Sequence, residues 1–176
     1  MKVLVTGGAG FVGTHLCQFL LRNGHVVTIY DKLDLRVVNP RALQWTEVEG
    51  CKVMEGDIRD EPKLIDAMKH QDLIIHAAAQ SAVDLSIKDP VTTFVTNSLG
   101  TVHVLEAMRH SGVKRLHYVS TDEVFGAATI HPFTEHSLVQ PGNPYSAGKA
   151  AAESTIFAWA NTYGIEVTIT NRPFAK

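Results

Sequence analysis

A glycine-rich turn near the amino terminus constrains the fold of this chain more than any other feature. Residues 3–5 form an apolar run typical of a buried strand, and the turn Thr6-Gly7-Gly8-Ala9-Gly10-Phe11-Val12-Gly13 follows it directly. Apolar residues then recur at helical spacing, at Phe11, Leu16, Phe19 and Leu20. The pattern predicts a strand, a glycine turn and a helix that ends near Asn23-Gly24.

The three glycines suit a site for a dinucleotide. Gly7 permits a tight turn, Gly10 lets the backbone approach a pyrophosphate, and Gly13 lets the helix pack closely against the strand. Unpaired amides at the amino end of the helix, together with the helix dipole, favour phosphate. These residues therefore predict a dinucleotide-binding βα unit.

An acidic residue ends the next predicted strand, which covers residues 25–31. Asp31 lies eighteen positions after Gly13, which fits the acidic residue that binds the adenosine ribose hydroxyls. Its charge would repel a 2′-phosphate, so the sequence favours NAD over NADP. The alternative is a solvated aspartate that opens a loop.

The remaining chain alternates predicted strands and helices. Further strands are predicted at 51–55, 72–76, 114–119 and 165–170, with helices at 40–47, 61–69, 91–110 and 145–163 and a loop at 81–90. We expect Phe94, Val95, Leu99, Val102, Leu105 and Met108 to share one face of the long helix. This order predicts an α/β Rossmann fold, with a doubly wound parallel sheet of about six strands and helices on both faces.

Composition narrows the function classes. The chain of 176 residues carries 16 Lys plus Arg and 18 Asp plus Glu, without a basic block that favours nucleic acid and without an apolar run of membrane-spanning length. Cys17 and Cys51 have no metal-binding spacing, so we expect reduced thiols and no metal site. Because the first strand starts at the amino terminus, we expect no signal peptide and a cytoplasmic location.

Polar or small residues follow two further strands. Asp57 comes directly after the third strand, where open α/β sheets bind ligands, although it could instead cap the helix that Glu61-Pro62 opens. Ala77, Ala78 and Ala79 follow the fourth strand and could let a flat ligand lie against the backbone, or simply form a tightly packed turn.

Tyr145 and Lys149 are the strongest candidates for catalysis. They lie four residues apart at the start of a predicted helix and so share one face. A free tyrosine has a pKa of about 10, and a nearby ammonium group lowers that pKa by stabilising the phenolate. Tyr145 could then exchange a proton with a substrate hydroxyl during hydride transfer to the cofactor. The alternative is an ordinary pair on a surface helix.

These motifs resemble the extended short-chain dehydrogenase/reductases of the NAD-dependent epimerase/dehydratase family. The resemblance rests on the glycine turn, Asp57-Ile58, His76-Ala77-Ala78-Ala79, Asn97 and Tyr145-Ser146-Ala147-Gly148-Lys149. Within the family, residues 120–126 resemble the dTDP-glucose 4,6-dehydratase group, because epimerases tend to have small hydroxyl residues in place of Asp122 and Glu123. Without the family context, this acidic pair would be interpreted as a solvated turn.

The resemblance implies a reaction and a role for each site residue. The sugar is oxidised at C4 with hydride transfer to NAD, water is lost across C5 and C6, and the hydride returns to C6. Glu123 would be the base at C5, Asp122 the acid at the C6 hydroxyl, and Thr121 would bind the C4 oxygen beside Tyr145. Ser81 would lie near the nucleotide-sugar substrate, and Asn97 would brace the backbone of the site. The residues implied to contact NAD are Gly7, Gly10, Phe11, Val12, Gly13, Asp31, Lys32, Asp57, Ile58, Ala77, Ala78, Ala79, Thr96, Tyr145 and Lys149.

The resemblance also implies how the chain is organised and assembled. Residues 1–176 correspond to the NAD-binding Rossmann domain with the catalytic Tyr and Lys, and we expect the C-terminal substrate-binding region to be absent. The helices that start near Val91 and Tyr145 resemble those that pair in homodimers, although they could merely cover the sheet. Three interpretations stay open: a nucleotide-sugar 4,6-dehydratase, another nucleotide-sugar enzyme such as an epimerase or decarboxylase, and a truncated non-catalytic NAD-binding module.

Overall fold

One parallel sheet forms the centre of the molecule. The computed structural model describes residues 1–34, 38–39, 48–127 and 132–172, and the predicted helix at 40–47 lies outside them. Within these residues, six strands pair in the order β3-β2-β1-β4-β5-β6. The strands are β1 Lys2–Thr6, β2 Val26–Asp31, β3 Cys51–Glu55, β4 Leu73–His76, β5 Arg115–Thr121 and β6 Glu166–Arg172. The predicted Rossmann architecture is confirmed.

Helices pack on both faces of the sheet. They are α1 Phe11–Arg22, α2 Glu61–Met68, α3 Val83–Lys88, α4 Pro90–Phe94, α5 Gly100–Ser111 and α6 Pro144–Tyr163. Cys17 of α1 packs with Val3 and Val5 on one face, whereas α2, α5 and α6 pack with Leu4 and Ile74 on the other. Alternating side chains of each strand therefore pack into two separate hydrophobic cores, because successive residues of a strand point to opposite faces.

The strand order reverses between β1 and β4. These strands lie side by side with Thr6 opposite His76, while β1 pairs with β2 on its other edge. Such a switch point opens a crevice at the carboxyl ends of the strands, where α/β proteins bind ligands. The glycine turn leaves β1 at this crevice, so the fold places it where a dinucleotide site is expected.

The buried face of α1 contains only part of the apolar pattern that marks the helix in the sequence. Phe11 and Phe19 are 70% and 65% exposed, whereas Gly13, Thr14, Cys17 and Leu20 are buried. A Cβ on Gly13 would lie only 2.1 Å from the carbonyl oxygen of Gly7. This close approach fixes the rotation of the helix, and small residues rather than aromatic ones therefore face the sheet.

The long helix predicted from Val91 to His110 contains a π-helical turn at Val95–Leu99, between α4 and α5. A π turn adds a residue to the helical repeat and shifts the register of every later side chain. On the two sides of this turn the apolar residues are divided: Phe94 and Leu99 are both 46% exposed, while Leu105 and Met108 are buried. The single apolar face expected from the sequence was therefore wrong.

The segment 81–90 was predicted to be a loop, and that prediction was wrong because it contains the short helix α3. Gly112 and Gly164 end α5 and α6 in the left-handed conformation, with φ of 81° and 67°, which glycine adopts at helix ends without a steric penalty. Among the helices of the described residues, none is long and apolar enough to cross a membrane.

Candidate functional site

The glycine turn is held in place by backbone contacts. Gly7 has a φ of 70°, and its amide donates a hydrogen bond to the Tyr30 carbonyl at 2.9 Å. A Cβ at this position would lie 2.6 Å from the backbone of Ala78. The turn therefore packs directly against the segment after β4, and both Gly7 and Gly13 are positions where only glycine fits without a backbone shift.

The turn leaves the amino end of α1 accessible. A Cβ at Gly10 would contact only the Gly7 carbonyl oxygen, at 3.3 Å. No side chain caps this helix at Gly10, and its first turn contains no acidic residue. Phe11 and Val12 line an open cleft beside it. These features fit the phosphates of a dinucleotide, since the helix end provides amide donors without a competing negative charge.

Asp31 is tied to the same turn. One of its carboxylate oxygens accepts from the Ala9 amide and the other from the Leu33 amide, each at 3.0 Å. Each oxygen keeps a further lone pair for a ligand hydroxyl. The structure thus places Asp31 at the carboxyl end of β2 beside the glycine turn, whereas the neighbouring Lys32 is exposed and lies 3.9 Å from Asp34.

Asp57 does not cap α2, so that sequence alternative was wrong. Its carboxylate binds Arg59 at 2.7 Å, and this hydrogen-bonded partner lowers the pKa of Asp57. Asp60, immediately before the helix, accepts from the Lys63 amide instead, because a capping side chain binds an amide two or three residues after it. The side chain of Ile58 lies in the core.

A buried histidine joins the glycine turn to the π turn. His76 is 1% exposed; its Nδ1 lies 2.7 Å from the Thr6 hydroxyl and its Nε2 lies 3.1 Å from the Thr101 hydroxyl. The Thr101 hydroxyl donates to the Asn97 carbonyl, which leaves it to accept from Nε2. This assigns the neutral Nε2–H tautomer, with Thr6 donating to Nδ1.

Burial, and next the charge of Lys149, lower the pKa of His76 to about 3. Unfolded chains therefore bind a proton at His76 below about pH 6.5 while the folded chain does not. We expect this residue to remove stability on the order of 1 kcal/mol per pH unit between pH 6 and 4. Urea unfolding should show a shallower loss in His76→Gln over that range, with exposed His136→Gln as control. Parallel curves for the wild type and His76→Gln would contradict the assignment.

Asn97 braces the backbone near the site, as expected. Its side-chain amide donates to the Gln80 carbonyl at 3.0 Å, and its side-chain oxygen accepts from the Gln80 amide at 2.8 Å. Gln80 directly precedes Ser81, which is exposed and lines one cleft together with Glu123. The structure thus brings Ser81 and Glu123 together, while Thr96 is half-buried in the π turn beside Asn97.

The acidic pair lies directly beyond β5. Asp122 and Glu123 begin a 3₁₀ turn, and the Thr121 side chain caps it by accepting from the Glu123 amide at 3.3 Å. Asn143, the residue before α6, donates from its side-chain nitrogen to the Glu123 carboxylate at 3.0 Å. Asn143 also forms a reciprocal capping box with Ser146. The amino end of α6 therefore fixes the orientation of Glu123.

Tyr145 and Lys149 lie in the first turns of α6 and are 4% and 2% exposed. The Lys149 ammonium donates to the Val119 carbonyl at 2.6 Å and lies 4.0 Å from the centre of the Tyr118 ring. Desolvation lowers the pKa of Lys149 to about 7, partly opposed by the charge of Glu153. Because these side chains are buried beside the end of β5, the alternative of a surface helix pair was wrong.

Several contacting residues escaped the sequence prediction. Thr6 and Thr101 hold His76, Asn143 holds Glu123, and Glu153 lies beside Lys149. Glu153 had a usable signal, since it follows Tyr145 by eight residues and so shares its helix face. Nothing in the sequence marks Thr6 and Thr101, because the partners of their hydroxyl groups depend on the fold. In the residues that the structure describes, no group of three metal-binding side chains occurs, and Cys17 and Cys51 are free thiols.

Comparison with known proteins agrees with this geometry. The family model of GDP-mannose 4,6 dehydratase matches residues 4–174. The dTDP-glucose 4,6-dehydratase of Mycobacterium tuberculosis is 38% identical over 175 residues, which cover 97% of this chain and 52% of that protein. Among solved structures, the dTDP-glucose 4,6-dehydratase DesIV of Streptomyces venezuelae with NAD bound has a TM-score of 0.91 and 37% identity, over 98% of this chain and 55% of that one.

A related enzyme of different activity has a similar fold. The UDP-glucose 4-epimerase of Thermus thermophilus, in complex with NAD, has a TM-score of 0.87 and 32% identity, over 97% of this chain and 54% of that one. The chain spans about half the length of the curated relatives that it matches. Since the family model matches nearly all of its residues, the chain belongs to the GDP-mannose 4,6 dehydratase family.

Proposed function

We propose that this chain is the cofactor-binding and catalytic part of an NAD-dependent nucleotide-sugar 4,6-dehydratase of the dTDP-glucose type. The observation that carries the proposal is that the turn of Thr121, Asp122 and Glu123 is tied to the helix of the buried residues Tyr145 and Lys149. Asn143, which caps that helix, binds the Glu123 carboxylate, and Lys149 binds the Val119 carbonyl just before the turn. The dehydratase relatives, which are 36–38% identical, support the same choice.

NAD would bind across the switch point of the sheet, with its phosphates at Gly10, Phe11 and Val12 and its adenosine ribose at Asp31. Bound NAD would accept a hydride from the sugar and later return it. The other proposed contacts are Gly7, Gly13, Lys32, Asp57, Ile58, Ala77, Ala78, Ala79, Thr96, Tyr145 and Lys149. The side chain of Ile58 is in the core, so we propose that Ile58 contacts NAD through its backbone.

The chain's own residues would move the protons. Tyr145, as the phenolate stabilised by Lys149, would take the proton of the C4 hydroxyl while Thr121 binds the C4 oxygen. Glu123 would remove the C5 proton, made acidic by the C4 ketone, and would return a proton to C5 when the hydride reaches C6. Asp122 would protonate the C6 hydroxyl as the C6–O bond breaks and water leaves. Ser81 would bind the sugar, since it shares a cleft with Glu123.

The competing proposal is a nucleotide-sugar epimerase or decarboxylase. The epimerase fold match supports it, but the acidic pair at Asp122 and Glu123 favours elimination, which needs both an acid and a base. In a version of the chain extended with a substrate-binding region, incubation with NAD and dTDP-glucose should yield the 4-keto-6-deoxy sugar. Formation of dTDP-galactose instead would favour the epimerase, and NAD binding without any turnover would favour the non-catalytic module.

Selectivity for NAD is expected to depend on the charge of Asp31. Asp31→Asn keeps one side-chain acceptor but removes the negative charge. We therefore expect the affinity for NAD to fall about tenfold and the ratio of the affinities for NAD and NADP to decrease. Isothermal titration calorimetry with both cofactors measures each affinity. Asp34→Asn, which changes a nearby carboxylate, is the matched control. Equal wild-type affinities for NAD and NADP would contradict this role.

We further propose that the protein is a cytoplasmic homodimer. Exposed apolar side chains on α4 and α6, including Val91, Phe94 and Phe157, support pairing through these helices. Free thiols at Cys17 and Cys51 suit a reducing compartment. Light scattering tests the assembly, and a monomer at micromolar concentration would rule out the paired helices.

The partners proposed are thus a nucleotide sugar and a second copy, with no nucleic acid and no membrane. We expect the region that completes the sugar-nucleotide site to lie outside residues 1–176.

A further inference from the structure

Glu153 is a buried carboxyl group that the proposed chemistry does not use. It lies one helical turn after Lys149 and two turns after Tyr145, so all three side chains occupy one face of α6. It is 8% exposed. A buried carboxylate is costly unless other groups bind it or carry the opposite charge, so its partners indicate what it does.

Two neighbouring strands bind this carboxylate. The Ser120 hydroxyl of β5 and the Asn171 side-chain amide of β6 both donate to Oε1 of Glu153, the latter at 2.7 Å. The Asn171 amide also lies 3.3 Å from the Thr121 carbonyl. Glu153 therefore joins α6 to the ends of two strands, at the residue of β5 that precedes Thr121.

Apart from Glu153, the groups that the structure places around the Lys149 ammonium carry no charge. It donates to the Val119 carbonyl and faces the Tyr118 ring. The ionisable groups near it are Glu153, Tyr118 and His76, and Tyr145 lies one helical turn before it on α6. Of these, His76 is neutral near pH 7. The negative charge of Glu153 opposes the desolvation that lowers the pKa of Lys149.

We propose that Glu153 is a positioning residue that favours the cationic form of Lys149, on the face of α6 that also carries Tyr145, and that it anchors the Thr121 end of β5. It contacts neither cofactor nor sugar, and acts through the lysine that stabilises the phenolate. The catalytic significance of this assignment rests on the proposed function, whereas the electrostatic link between Glu153 and Lys149 does not. The two are therefore separable by experiment.

The test follows the titration of Lys149 in the chain with ¹³Cε-labelled lysine, by nuclear magnetic resonance, without NAD or sugar. The Lys149 resonance is assigned as the one lost in Lys149→Arg. In Glu153→Gln, which removes the charge and preserves the shape, we expect the midpoint to fall by about 1–3 pH units. Glu166→Gln, an exposed carboxylate on β6, should leave the midpoint unchanged.

Glu153→Asp supplies a second measurement. This variant retains the negative charge, but its side chain is one methylene shorter, so the charge lies farther from Lys149. Its Lys149 midpoint should lie between those of the wild type and Glu153→Gln, and it carries the test if Glu153→Gln does not fold. A midpoint within about 0.3 unit of the wild type in the folded variant overturns the proposal. A lowered midpoint in a chain that binds no NAD would support the link to Lys149 while contradicting the proposed function.

Discussion

Replacement of Tyr145 by phenylalanine, in the chain extended with a substrate-binding region, is expected to lower turnover of dTDP-glucose by about 10²–10⁴-fold. The variant keeps the ring that fills a buried position but loses the hydroxyl that would take the C4 proton. The affinity for NAD should change less than about threefold, because the turn at Gly10 and the carboxylate of Asp31 are untouched. Formation of the 4-keto sugar, followed by its absorbance in alkali, measures the rate.

The matched control is Tyr163→Phe at the other end of α6. Tyr163 is 42% exposed and stacks with Arg109, far along the helix from Lys149. Its loss should leave turnover unchanged. If Tyr145→Phe retains more than a tenth of the wild-type rate while Tyr163→Phe is normal, then another group transfers the proton and the role assigned to Tyr145 is wrong.

Replacement of Gly13 by alanine is expected to destabilise the chain by about 2 kcal/mol or more, despite the better helix propensity of alanine. The new Cβ would lie 2.1 Å from the Gly7 carbonyl oxygen and 2.6 Å from the Gly8 Cα. Both are backbone atoms, so relief requires that α1 move away from the turn. Because that movement displaces the amides of the phosphate site, NAD affinity should fall at least tenfold.

Gly142 offers a control for this substitution. A Cβ there would meet no atom within 4 Å, and its φ lies outside the left-handed region. Gly142→Ala should change the free energy of unfolding by less than about 0.5 kcal/mol. Chemical denaturation and calorimetry compare the two variants. A Gly13→Ala chain with wild-type stability and NAD affinity would show that the turn tolerates a side chain.

The sequence alone predicted the Rossmann fold because its signals are local. Apolar runs, helical spacing and the glycines at positions 7, 10 and 13 act within a few residues of one another. Their order along the chain was enough to predict a parallel sheet with the turn after the first strand. Local patterns were also enough to predict Asp31 at the end of β2 and Tyr145 and Lys149 at the start of α6, although they left open whether that pair is buried.

Local patterns failed where a distant contact set the geometry. The rotation of α1 follows from the approach of Gly13 to Gly7, which brings Cys17 rather than Phe19 against the sheet. The register of the long helix follows from the π turn at Val95–Leu99, and nothing in the apolar spacing marks it. Helical periodicity assumes a constant 3.6-residue repeat, and it misassigns faces once that repeat changes.

The amino-acid sequence by itself determined which elements form, their order, and the residue types available at the strand ends. Only the tertiary structure decided which of those residues meet. His76 binds Thr6 across 70 positions, Asn143 binds Glu123 across 20, and Ser120 binds Glu153 across 33. The charge of Lys149 and the neutrality of His76 also depend on folding, since burial changes a pKa only after the distant chain has excluded water from the group.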